Sequence, residues 1–89
     1  MVLAYANVMV DRYLEAMQCL KLIAPQRFAE VLEIADARAG LRSFREGSDP
    51  SLMEIVFSVP DEQFRWFRFV LRKMAERYEH RKDALLRAT

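Results

Sequence analysis

The spacing of polar and apolar residues predicts a long first helix over residues 2–23. Its polar residues recur at intervals of four, four and three, so they share one narrow face: Asn7, Asp11, Glu15 and Gln18. The rest of its circumference is apolar, and a helix of this kind is buried on more than one side. Because a chain of 89 residues offers few elements to cover it, we expect part of this helix to pack on a second subunit.

A second helix is predicted over residues 25–39. Pro25 suits the first position of a helix, and Gly40 suits the residue that follows the last turn. Between them the apolar residues form a single stripe at helical spacing: Phe28, Val31, Leu32, Ile34, Ala35 and Ala39. The acidic residues of this segment fall outside the stripe, so we expect them to face water.

Residues 41–59 carry the pattern of a β-hairpin. The segment "LMEIVFSV" (52–59) is rich in β-branched and aromatic residues, and its apolar side chains alternate onto one face: Met53, Ile55, Phe57 and Val59. The cluster "GSDPS" (47–51) is typical of a turn, which leaves "LRSFRE" (41–46) as the other strand. A two-stranded ribbon is only marginally stable by itself, so this hairpin must pack on helices or on a second copy.

The last helix is predicted from Pro60 to about residue 86, a length of about 40 Å. Asp61 and Glu62 place acids in its first turn, which the helix dipole favours. Its core stripe recurs at helical spacing: Phe64, Phe67, Val70, Leu71, Met74, Ala75, Tyr78 and Leu85. Together the four segments predict one domain, residues 1–89, of the α+β class and mainly helical. Its order is α-α-β-β-α, with a small β-hairpin packed on the helices.

Arginine and aromatic residues alternate in "QFRWFRFVLRK", residues 63–73. On a helix Phe69 falls on the polar side and Trp66 falls at the edge of the core stripe, so both should be exposed on an isolated chain. Aromatic and arginine side chains supply much of the binding energy at protein interfaces. We therefore predict a partner-binding surface that combines these two aromatic residues with the basic residues beside them: Arg65, Trp66, Arg68, Phe69, Arg72 and Lys73.

Charge is unevenly distributed along the chain, which gives an alternative function. Residues 1–60 hold six Lys/Arg and eight Asp/Glu, whereas residues 61–89 hold eight and five. The last helix is therefore a basic element on a slightly acidic body, and it could contact the phosphates of a nucleic acid. The alternative is a dimeric nucleic-acid-binding transcriptional regulator, whose binding would fall steeply with salt.

A local resemblance bears on this alternative. The segment "MEIVFSVPDEQFRWF" (53–67) resembles the opening of ribbon–helix–helix repressors, in which paired strands enter the major groove of DNA. That family continues with a short helix, a turn containing glycine and a second helix, whereas "VLRKMAERYEHRK" runs on without glycine. The resemblance therefore ends after about fifteen residues.

The residue types that build catalytic and metal sites are sparse. Gly40 and Gly47 are the only glycines, too few for a glycine-rich phosphate loop. His80, the only histidine, follows Glu76 by four residues, and this pair would bind a metal only with carboxylates from another helix. Cys19, the single cysteine, falls in the apolar arc of the first helix and is expected to be a small core residue. We therefore predict a non-enzyme without metal or cofactor.

Composition favours an interaction protein. The hydrophobic content of 53% is high for so small a domain, and excess apolar surface favours a dimer or a partner. The apolar start "MVLAYANVMV" is too short to span a bilayer, and it lacks the basic region of a signal peptide. The sequence thus predicts a small cytoplasmic protein-binding module, an adaptor, regulator or inhibitor that forms a homodimer. Its partner would be another protein or a second copy, and no membrane.

Overall fold

Four α-helices carry the fold, and no strand occurs in the part of the chain that the structure describes. The computed structural model describes the backbone of residues 2–88 and the side chains of residues 8–87. The elements in chain order are α1 (Val2–Lys21), a 3-10 turn (Pro25–Arg27), α2 (Phe28–Arg38), α3 (Pro50–Ser58) and α4 (Asp61–Ala88). None of these helices is long and apolar enough to cross a membrane.

The predicted β-hairpin over residues 41–59 is wrong, and with it the α+β class. Residues 52–58 belong to helix α3, and residues 41–49 form a connection without regular structure. The reason lies in the segment from Asp49 to Ser51, which starts a helix instead of turning a hairpin. Pro50 occupies the first turn of α3, and the carboxylate of Asp49 accepts a hydrogen bond from the Ser51 N–H at 2.9 Å. This is the arrangement of an N-cap followed by proline at the first helical position.

Burial along α3 follows the helical period and not the alternation of a strand. Leu52 and Val56, four residues apart, are buried, whereas Phe57 is half-exposed. The alternating stripe had placed Phe57 and Val59 on the same inner face. Because most residues of this segment are apolar, they match both the two-residue period of a strand and the 3.6-residue period of a helix. Periodicity alone therefore does not separate a strand from a short buried helix. The cap at Asp49 fits a helix start.

Asp49 also fixes the start of α3 against the start of α2. Its Oδ2 accepts a hydrogen bond from Nη2 of Arg27 at 2.7 Å, and the same guanidinium lies 3.2 Å from Glu30. The hydrogen bond from Arg27, followed by those from Ser51, lowers the pKa of Asp49 to about 2. The cap is therefore charged at neutral pH, and its stabilising effect is lost as the pH falls from about 3.8 towards 2.

Helix α2 confirms the second predicted helix. The first three residues of the predicted segment form the 3-10 turn that precedes α2. It ends as predicted: Gly40 has φ +80°, and the N–H groups of Gly40 and Leu41 donate to the carbonyls of Ala37 and Asp36. This pair of bonds is the common C-terminal cap that glycine permits. Of the predicted stripe, Leu32 is half-buried, Ala39 is exposed and the others are buried: Phe28, Val31, Ile34 and Ala35.

Helix α1 packs through one face within the chain. Ala16 and Leu20 are buried, whereas Val10 and Leu14 are about half-exposed. The expectation that a second subunit covers the remaining apolar surface stays a prediction. Cys19 is exposed, so its placement in the core was wrong. The arc of α1 that contacts the core is narrower than the apolar arc of its sequence.

The core lies among the four helices, and each helix contributes to it. Its fully buried side chains include Leu20 from α1, Val31 from α2, Val56 from α3, and Phe67 and Leu71 from α4. The last helix confirms the segment predicted from Pro60 to about residue 86. Its residues 79–87 are exposed, including Leu85, which had been placed in the core stripe. The last turns of α4 are therefore little covered by the other helices, and the longest dimension of the molecule is 57 Å.

Candidate functional site

Two aromatic side chains are exposed on the outer face of α4. Trp66 is 57% exposed and Phe69 is 46% exposed, as the helical spacing had predicted. Their rings stack on each other, with centroids 5.2 Å apart and an angle of 18° between the planes. Phe67 and Leu71 lie on the opposite side of the helix and are fully buried, since two residues turn an α-helix by about 200°. The stack is therefore an ordered apolar surface in contact with solvent.

Two cations, Lys73 and Arg65, border this stack. The Lys73 ammonium lies 5.6 Å from the centroid of the Phe69 ring, within the range of a cation–π contact, and 3.6 Å from Glu76. Arg65 borders the stack together with Glu62, and Arg72 is exposed on the same helix. We call the residues Arg65, Trp66, Phe69, Arg72 and Lys73 the aromatic face.

Arg68 does not lie on the aromatic face, although the sequence had grouped it with Arg65 and Arg72. Its Nε and Nη2 donate to Oδ1 of Asp36 at 3.2 and 2.7 Å, and both side chains are largely buried. This ion pair ties α4 to α2. It also shows that Asp36, which had been expected to face water, is engaged inside the fold.

Arg38 makes a second set of contacts between helices, which was not predicted from the sequence. Its Nη1 donates to the carbonyl of Val56 at 2.6 Å, and its Nη2 donates to Asp61 at 2.8 Å. The guanidinium carbon lies 4.1 Å from the centroid of the Phe64 ring. Arg38 thus joins the end of α3 to the start of α4.

A shallow groove of about 360 Å³ lies between the start of α2 and the second half of α4. Its apolar floor comprises Phe28, Ala29, Leu32, Ala75 and Tyr78. Glu76 and His80, the pair considered as metal ligands, lie on its polar rim and are exposed. Within the described side chains no cluster of three or more His, Cys, Asp or Glu residues could hold a metal ion. The groove was not predicted, because Tyr78 and Leu32 were expected to be core residues. In the structure each of them is only half-buried.

No protein-family model, no curated protein and no solved structure matches this chain. Its function is therefore inferred from its own residues.

Proposed function

We propose that this protein is a small non-enzymatic protein-binding module, an adaptor, regulator or inhibitor that acts through the aromatic face. The observation that carries the proposal is the Trp66–Phe69 stack, which is about half-exposed although it lies in a helix that buries Phe67 completely. Neither ring belongs to the buried core cluster or to the side chains that pack against it. Tryptophan is among the residues most enriched at the energetic centre of protein interfaces.

The size of the stack sets the scale of the binding energy. Two aromatic side chains that are about half-exposed present roughly 200 Å² of surface, and its burial would contribute at most about 5 kcal/mol. Association itself costs about 4–15 kcal/mol of lost freedom. The stack therefore acts as the anchor of a larger contact, in which the cations of the aromatic face form the rim.

Because the two rings are already stacked, binding a partner costs them less conformational entropy. Because Trp66 and Phe69 already stack at 5.2 Å, each side chain loses less rotamer freedom when a partner covers it. Pre-organised aromatic side chains raise affinity chiefly in this way. The contact of Lys73 with the Phe69 ring restricts that ring further.

The charges around the stack favour a protein over a nucleic acid. Glu62 and Glu76 lie among the cations of the aromatic face, and Arg68 is occupied by Asp36. A single strand that stacks its bases on aromatic rings needs an unbroken basic path for its phosphates. The nucleic-acid-binding regulator stays the alternative prediction, with steep salt dependence as its signature.

The substitution Phe69→Arg tests the proposal. Wild type, Phe69→Arg and the control Leu22→Arg are immobilised and exposed to a lysate of the source cells. Leu22 is the most exposed large apolar side chain described, and it follows the end of α1. We expect wild type and the control to capture the same protein, and Phe69→Arg to bind it about 30-fold more weakly.

Circular dichroism melting of all three proteins separates lost binding from lost folding. Because Phe69 is exposed, its substitution should leave the melting temperature within a few degrees of wild type. Equal capture by Phe69→Arg and wild type would show that another surface binds the partner.

A further inference from the structure

Four residues along the outer side of α4 are arranged in a self-complementary order. Glu62, Trp66, Phe69 and Lys73 are spaced by four, three and four residues, so the spacing is the same in both directions along the helix. At about 100° per residue they fall within a strip roughly 60° wide. Intervals of three and four are those of the contact line in a coiled coil. Reversal of this line exchanges Trp66 with Phe69, and it exchanges an acid with a base.

We propose that a second copy of this chain covers the aromatic face, with the two α4 helices packed antiparallel. The twofold axis would pass between residues 67 and 68. In this register Trp66 of each chain lies against Phe69 of the other, and Glu62 of each lies against Lys73 of the other. The inference names the partner of the aromatic face, and it rests on the proposed function because it requires that this face binds protein.

Charge complementarity selects the antiparallel arrangement. The antiparallel register forms two Glu62–Lys73 pairs across the interface. A parallel arrangement would instead set Glu62 against Glu62 and Lys73 against Lys73, and opposed like charges disfavour an interface. The helix dipoles also oppose each other only in the antiparallel pair, which is their favourable arrangement.

Lys73 is free to make this new contact. Its ammonium lies 3.6 Å from Glu76, and both side chains are more than half-exposed. An exposed pair three residues apart on a helix contributes little. When Lys73 turns towards Glu62 of the second copy it therefore gives up only two exposed contacts, the pair with Glu76 and the cation–π contact with Phe69.

The face is also accessible to a second helix. All four residues of the strip are exposed, and the strip lies opposite the buried side chains of Phe67 and Leu71. Helices that pack side by side approach to about 8–10 Å between their axes. Among the described side chains α4 packs through its core side, so its outer side can accept a helix at that distance.

The expected dimer is weak. Four aromatic side chains, about half-exposed in the separate chains, supply roughly 400 Å², whereas stable interfaces bury about 1,200–2,000 Å². We therefore expect a dissociation constant on the order of 10–100 µM. The measured mass should rise from one chain to two across that range of concentration.

Charge reversal tests the register. Glu62→Lys leaves a lysine at both ends of the strip, and Lys73→Glu leaves a glutamate at both ends. Because position 62 of each chain faces position 73 of the other, each single variant sets two pairs of like charges against each other. We expect each to weaken the dimer about tenfold or more in sedimentation equilibrium between about 5 and 500 µM. The double variant restores opposite charges and should return to within about threefold of wild type. An equimolar mixture of the two single variants should form a heterodimer of similar strength.

The control is Glu54→Lys, which reverses an exposed charge on α3 and should leave the dimer unchanged. A wild-type mass of one chain up to 500 µM would overturn the inference, as would a double variant that stays as weak as the single variants. If wild type is monomeric while Phe69→Arg still abolishes capture of another protein, the proposed function stands and only the second copy fails. If Phe69→Arg changes neither property, both fail.

Discussion

Phe67→Ala is expected to destabilise the protein by about 3–5 kcal/mol, the usual cost of removing a buried phenylalanine. Phe67 is fully buried, lies in the core cluster, and stacks on Phe64 with ring centroids 6.2 Å apart. A domain of 89 residues has a total stability of about 4–13 kcal/mol. The variant should therefore lose a large part of its stability, which urea titration followed by circular dichroism would measure.

Phe69→Ala is the matched control, because it makes the same substitution two residues along the same helix. Phe69 is about half-exposed, so the expected cost is about 1 kcal/mol or less. The comparison tests the rotation of α4 about its axis. Equal losses from the two substitutions would mean that Phe69 is packed as deeply as Phe67, and the aromatic face would not exist.

Arg38→Met is expected to cost about 2–3 kcal/mol in the same titration. Methionine keeps much of the apolar stem but removes the charged hydrogen bond to the Val56 carbonyl, worth about 1.5–3 kcal/mol. It also removes the contact with the Phe64 ring, worth about 0.5–1 kcal/mol or more. Arg38 is 14% exposed, whereas Asp61 is 95% exposed, so the ion pair with Asp61 adds little. The Val56 carbonyl near the end of α3 would be left without this donor.

Two further variants isolate this effect. Arg38→Lys keeps the charge but cannot reach Val56 and Asp61 together with a planar group, so its loss should lie between wild type and Arg38→Met. Arg81→Met removes an exposed arginine from the last turns of α4 and should change stability by about 0.5 kcal/mol or less. If Arg38→Met costs no more than Arg81→Met, Arg38 does not join α3 to α4.

The parts of the fold that were predicted correctly depend on local signals. Pro25 marks the start of the 3-10 turn that leads into α2, Gly40 follows the end of α2, and acids mark the first turn of α4. Helix α3 was missed because Asp49 and Pro50 are typical both of a turn and of a helix start. The β-branched and aromatic residues that follow favour a strand locally. Packing of Leu52 and Val56 against the other helices decides for the helix, and that packing is not local.

The same distinction explains the candidate site. The exposure of Trp66 and Phe69 follows from helical spacing alone, so it could be read from the sequence. The contacts of Arg68 and Arg38 could not, because their partners lie 32 residues away at Asp36 and 18 residues away at Val56. The sequence indicated three arginines on one flank of α4, and only the fold separates the one that holds α2 from the two that stay exposed.

We propose that protein covers the aromatic face when the molecule is at work, and the fluorescence of Trp66 tests this directly. It is the only tryptophan of the chain, so its fluorescence reports on this face alone. We predict that acrylamide quenches Trp66 less as the protein concentration rises from about 1 to 500 µM, or when a captured partner is added. In Phe69→Arg, acrylamide should quench Trp66 to the same full extent at every protein concentration. Equal quenching of wild-type Trp66 at every concentration and in every complex would contradict the claim.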